Sequence, residues 1–312
     1  MHFALILAAL LFHAEPASVS TANETAATSV LLEHFETVFH TVPSLLEDAS
    51  PDEAIGFARE PFGYFVSGLD HRSHQLRSEL LRNSESILLG TKDYLPPDGL
   101  GRVVSTRCYI AVLTDGSRIS VSHYLGKPNQ QTPSGLPVWN WTVDLGEFGD
   151  RTTHLSSLYA AQIGNTYFVV SNNLDELQSA SQEMGSSSEH AALPQIREWD
   201  SVKQHEFWGY RKLTSSESRP PATIFNGLKG IQPEAEALIL YVDFEHKSGL
   251  LRVLSSNPDD QSAHNLSTIW KMPPPKSIGR GKWDISFTLT GSGTFPESSF
   301  QVLWLFGLGV AA

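Results

Sequence analysis

The sequence predicts an α+β protein: a largely antiparallel sheet with helices packed on one face. Three observations predict it. Runs rich in β-branched and aromatic residues recur after residue 100. The turns between them, Thr114-Asp-Gly-Ser117, Gly164-Asn165 and Lys247-Ser-Gly249, are short. Short turns join antiparallel strands, whereas parallel strands need a crossover of about a dozen residues or more. Helical periodicity flanks these runs instead of alternating with each strand, which argues against a doubly wound parallel sheet.

Taken in order, Val30, Leu31, Phe35, Val38, Phe39 and Val42 recur at helical spacing, and Pro43 stops that helix. Ser50-Pro-Asp-Glu53 reads as a helix start, with a capping hydroxyl, Pro in the first turn and acids at the positive dipole end. Phe62 to Val66 reads as a strand. Asp70 reads as the cap of a helix carrying Leu76, Leu80, Leu81, Ile87 and Leu88 on one face.

Beyond Pro96-Pro-Asp-Gly99 the pattern is one of strands. Cys108–Leu113 and Ile119–Tyr124 form a hairpin around Asp115-Gly116. Val138 to Leu145 is a strand, and Leu158–Ile163 with Thr166–Val170 is a second hairpin. Asn173 caps a helix holding Leu174, Leu177 and Met184. Glu206 to Leu213, Ala237 to Phe244 and Leu250 to Leu254 are strands. Asn257-Pro258 opens a helix with Ala263, Leu266, Ile269 and Trp270, ended by Pro273-Pro-Pro275. The end of the chain, Trp283–Leu289 then Phe300–Val310, reads as a hairpin whose second strand is buried on both faces.

Two hairpin-plus-helix units echo one another. Ser171-Asn-Asn173 and Ser256-Asn257 each follow a hairpin and precede an acidic first turn. The echo is compatible with duplication and equally with the cap chemistry that any such junction favours. The Ser-rich stretch 186–197 reads as a linker between an N-terminal α+β lobe, 23–185, and a C-terminal one, 198–312.

Residues 1–22 read as a signal peptide. Phe3 to Phe12 is a ten-residue apolar run, too short to span roughly 30 Å of hydrocarbon, which takes about 20 residues. Small residues at Ser20 and Ala22 suit cleavage before Asn23, although the segment before the run carries His2 and no Lys or Arg. This predicts a secreted or periplasmic protein with no transmembrane span in the mature chain. Its one cysteine allows no internal disulfide, so the core must hold the fold together.

Lys+Arg is 22 against Asp+Glu 34, a formal charge of −12, and no basic cluster stands out, so no nucleic acid partner is expected. Asp175-Glu176 and Asp259-Asp260 are paired acids of the kind glycosidases use, but each pair falls in a helix first turn, where the dipole explains it. His71 and His74 could share a metal but lack further ligands, and they read as a solvated helix start. Trp139 and Trp141 point to one face of a strand, where stacked rings can bind a sugar or apolar ligand or simply pack. Cys108 opens an apolar strand and reads as an inert thiol. Asn140-Trp-Thr142 and Asn265-Leu-Ser267 match the glycosylation pattern. No P-loop, nucleophile elbow or dinucleotide fingerprint is present, and neither cofactor nor metal is expected.

Three readings of function follow. The first is an exported, soluble, non-catalytic binding or envelope-associated protein, taking a protein, small-molecule or glycan ligand. The second is a secreted hydrolase with a dispersed carboxylate site, acting on glycans. The third is a structural or assembly module built from a duplicated unit.

Overall fold

The computed structural model describes residues 22–47, 52–94, 104–144, 155–186, 196, 198–213, 230–289 and 299–306. The signal-like segment, apart from Ala22, and most of the 186–197 stretch lie outside the described residues.

The helices are α1 (Ala22–His34), α2 (Pro43–Glu47), α3 (Glu53–Arg59), α4 (Gly63–Arg82), α5 (Val121–Leu125), α6 (Leu174–Ser186), α7 (Trp199–Val202) and α8 (Ser262–Ile269). The strands are β1 (Thr37–Thr41), β2 (Ser84–Tyr94), β3 (Val104–Leu113), β4 (Gln130–Gln131), β5 (Pro137–Asp144), β6 (Leu155–Ile163), β7 (Tyr167–Ser171), β8 (Phe207–Lys212), β9 (Ala235–Asp243), β10 (Ser248–Ser255), β11 (Lys276–Gly279) and β12 (Lys282–Thr288). Turns of 3-10 helix cover Glu60–Phe62 and Ser299–Phe306.

The twelve strands among the described residues form one antiparallel sheet, in the order β11-β12-β10-β9-β8-β1-β2-β3-β7-β6-β5-β4. β1 sits near its middle, pairing β2 on one side and β8 on the other. The β1–β8 pair therefore joins strands from either side of the 186–197 stretch.

Helices cover both faces of this sheet, not one. Alternation along each strand splits the apolar residues into two cores. On β3, Tyr109, Ala111 and Leu113 enter one core, while Cys108, Ile110 and Val112 enter the other. The first core takes Leu46 of α2, Phe57 of α3, Phe65, Leu69, Leu76 and Leu80 of α4, Val121 of α5, Leu266 of α8 and Phe306 of the final turn. The second takes Leu31 of α1, Leu177 and Met184 of α6, and Val202 of α7. A wide sheet buried on both sides needs apolar residues at consecutive positions, and all five residues of β1 and of β7 are buried. Phe39 of β1 is fully buried, which is worth about 2–3 kcal/mol relative to exposure.

Several local readings change in the fold. The helical spacing of Val30 to Val42 belongs to two elements: α1 ends at His34 and β1 follows. Phe62 to Val66 is helical, and α4 breaks at Ser73, whose hydroxyl caps Leu76 N at 3.2 Å, three residues beyond Asp70. Ile87 and Leu88 lie in β2, so that helix ends at Arg82. Val121 to Tyr124 is helix instead of hairpin, because β3 pairs β2 and β7. Ser299–Phe306 is a 3-10 turn instead of a strand, and Arg211 donates to the Leu305 carbonyl at 2.8 Å to hold it.

The two hairpin-plus-helix units are both present and share cap chemistry. Ser171 Oγ accepts Asn173 N, and Ser255 Oγ accepts Asn257 N, both at 3.1 Å. The hairpins run in the same sense, each returning toward the β11 end of the sheet. But α6 packs in one core and α8 in the other. The units are thus of opposite hand and do not superpose, and the echo is one of capping alone.

Candidate functional site

The residues singled out by sequence are for the most part committed to the fold. Trp139 and Trp141 share a face, and that face is the first core. Trp139 is 7% and Trp141 8% exposed, so neither ring face is open to solvent. Their indole N–H groups donate to the Gly126 carbonyl at 2.9 Å and the Gly68 carbonyl at 3.2 Å. Asp175 is exposed, while Glu176 pairs with Lys92 at 2.5 Å, tying α6 to β2. Asp259 is exposed, and buried Asp260 caps Ser262 N at 2.6 Å. His71 and His74 are exposed, His74 pairing with Asp70 at 2.8 Å. No group of three or more His, Cys, Asp or Glu able to hold a metal occurs among the described residues. Burial pushes the Cys108 thiol well above its ordinary range, as an inert thiol requires. Asn140 Nδ2 donates to Gln130 Oε1 at 3.2 Å, and Asn265 Nδ2 to the Gly230 carbonyl at 2.8 Å.

The site that does emerge is an open cleft of about 390 Å³ between the end of α4 and the turn leading into α5. One wall is Glu79 and Asn83. Asn83 folds back onto α4, donating to the Glu79 carbonyl at 2.8 Å and to Glu79 Oε2 at 3.2 Å. The other wall carries Arg118, Ser120, His123 and Tyr124. The Asp115-Gly116 turn sets its start, with Gly116 at φ 81° and Ser117 N bonded to the Thr114 carbonyl at 3.0 Å. Gln162 of β6 then fixes it, donating to the Ile119 carbonyl at 3.0 Å and accepting from Val121 N at 3.5 Å. His123 packs edge-on against Tyr124, with ring centroids 5.1 Å apart.

Arg118 and His123 are exposed and form no ion pair among the described residues. A guanidinium and an imidazole on one braced wall of a cleft can bind a carboxylate or phosphate. Glu79, across the cleft, can accept from a ligand hydroxyl or amine. Sequence reasoning missed this grouping, because nothing in the order of residues relates Gln162 to the turn at Ile119.

Two other polar groupings are structural. His40 lies 3.5 Å from Glu24 and is sealed from solvent beneath α1. Arg252 grips Asp284 through two nitrogens, at 2.7 and 2.9 Å, and Glu198 at 2.5 Å, and Lys282 completes the network on Glu198.

No protein-family model matches the chain, and no curated protein matches it. The likeness to solved structures is remote. Crystal form I of TP0453 aligns with a TM-score of 0.44 and 8% identity, covering 91% of this chain and 97% of that one. Crystal form III aligns with a TM-score of 0.41 and 9% identity, covering 82% of this chain and 91% of that one. Likeness at this level carries neither activity nor partner across.

Proposed function

We propose that this chain is an exported binding protein that takes a small anionic ligand, a carboxylate or a phosphate, in the Arg118–His123 cleft. The observation that carries the reading is that these two side chains, each without an ion partner among the described residues, line one cleft whose wall is braced by Gln162. The signal-like residues 1–22 support export. No helix among the described residues is long and apolar enough to cross a membrane. Isothermal titration with inorganic phosphate and with acetate tests the cleft. Saturable heat that Arg118→Ala reduces about tenfold or more in affinity supports it. Absence of heat with both anions rejects it. N-terminal sequencing of the protein recovered outside the cytosol tests export, and a chain that stays in the cytosol starting at Met1 rejects that part.

One observation favours a hydrolytic reading as the alternative. Ser120, His123 and Glu79, the residue types of a nucleophile, base and orienting acid, line the same cleft. No hydrogen bond joins Ser120 to His123 side chain to side chain among the described residues, so the triad geometry is not assembled. Hydrolysis of p-nitrophenyl acetate that Ser120→Ala abolishes would establish the enzyme and displace the binding reading.

A further inference from the structure

The far end of the sheet differs in charge from the rest of the chain. The protein carries a net charge of −12, yet residues 261–283 contain no Asp or Glu and four Lys or Arg: Lys271, Lys276, Arg280 and Lys282. Lys282 is committed to Glu198. Lys271, Lys276 and Arg280 are exposed and form no ion pair among the described residues.

The same segment forms the open edge. Among the described residues β11 is the terminal strand, paired to β12 alone with an irregularity in register between Ser277 and Gly279, and all four of its residues are exposed. One of the two exposed large apolar side chains among the described residues, Ile278 at 41%, stands on it. An edge strand offers unpaired backbone N–H and C=O groups to any extended chain that can approach. Here Lys276 and Arg280 decide which chain can. A second copy of this edge would bring Lys276, and Arg280 just beyond the strand, close to the same cations of its mate, and like charges brought together across a strand pair are destabilising. An acidic strand meets them as partners, with Ile278 available to an apolar residue beside its acids.

We propose that β11 is a docking edge for an extended acidic segment of a partner protein, which adds to the sheet as a further strand. Backbone bonds to β11 hold the segment, and Lys276 and Arg280 select it, with Lys271 at the near end of the same connection. The edge is remote from the anion cleft: Gln162, which braces the cleft, lies on β6, the tenth strand of the order from β11. Neither site depends on the other.

The test uses the full chain and a short synthetic peptide of alternating glutamate and valine, followed by fluorescence anisotropy. Two control peptides accompany it: lysine in place of glutamate, and the acidic peptide with a central proline, which keeps the charge but cannot continue a ladder. The expected result is binding of the acidic peptide alone. Lys276→Glu with Arg280→Glu should weaken it by about tenfold or more, and raised salt should weaken it too. Amide exchange within 276–279 should slow on binding. Equal binding of the proline peptide overturns strand addition, since charge alone then suffices. No binding of any peptide, in a protein whose circular dichroism is that of the folded state, overturns the proposal outright.

Discussion

His40 and Trp208 face each other across the β1–β8 pair, directly opposed in register, with ring centroids 5.4 Å apart and planes 8° from parallel. Trp199 of α7 closes the stack edge-on, 5.8 Å from Trp208. His40 is 2% exposed, its Nδ1 has no hydrogen-bond partner among the described residues, and burial pushes its pKa down to about 3. The imidazole is therefore neutral in the folded protein, while an unfolded chain protonates it near the ordinary value of about 6.5. Protonation favours the unfolded state, so stability from this residue is intact above that value and falls as pH drops toward 3. The ceiling is about 4–5 kcal/mol over the whole window, and a charged Glu24, 3.5 Å away, lowers it. Urea denaturation at a series of pH values should show a steeper acid loss in the wild type than in His40→Phe, which keeps a ring against Trp208. Equal slopes would show that His40 titrates freely.

Gly281 shapes the β11–β12 turn. It sits at φ 69°, and a Cβ there would run into the Ser255 carbonyl oxygen. Its own carbonyl accepts Ser255 N at 2.9 Å, so the turn cannot shift without breaking that bond. Gly281→Ala should destabilise the protein by about 1–3 kcal/mol, combining left-handed strain with the clash. Thermal melting measures it, and an unchanged midpoint would contradict the close approach.

Asn173 is a working helix cap: its Oδ1 accepts Asp175 N at 2.9 Å and Glu176 N at 3.2 Å. Asn257 Oδ1 accepts Asp259 N at 3.0 Å, but α8 begins only at Ser262, where Asp260 caps. Asn173→Ala should cost about 1 kcal/mol and Asn257→Ala less. Urea midpoints of the two variants give the comparison, and a larger loss at Asn257 would refute the assignment.

These two asparagines also show what the sequence could and could not say. Cap chemistry is local, so both junctions were legible. The face each helix would take was not, because it follows from the pleat on which the strand ends. Ser171 pairs with Cys108 on the α6 side, whereas Ser255 follows Leu254 onto the opposite side. One residue of phase reverses the unit. Thr37–Thr41 was hidden for a related reason. Its five buried residues have no alternation of their own, and its partners, Ile87–Thr91 and Phe207–Arg211, lie far away in sequence. The cleft was illegible because its walls, Glu79 and His123, come from different elements and the brace, Gln162, from a third.

Glu198 anchors the start of α7 in a left-handed conformation, φ 73°. Burial works to raise the pKa of its carboxyl, but hydrogen bonds from Lys282 and Arg252 outweigh that and hold it below the usual carboxylate range. Its contribution to stability is thus present above the ordinary carboxylate pKa and is lost as pH falls through the lower folded value. Glu198→Gln keeps the shape, removes the charge and should cost about 1–3 kcal/mol at neutral pH. Glu198→Gly removes the side chain but relieves left-handed strain of about 1–2 kcal/mol, so it should cost no more than the glutamine variant. Arg252 retains Asp284 in both, so the sheet should persist while amides of 199–202 exchange faster. A glutamine variant with wild-type stability and unchanged exchange would show that the carboxylate does not tether α7.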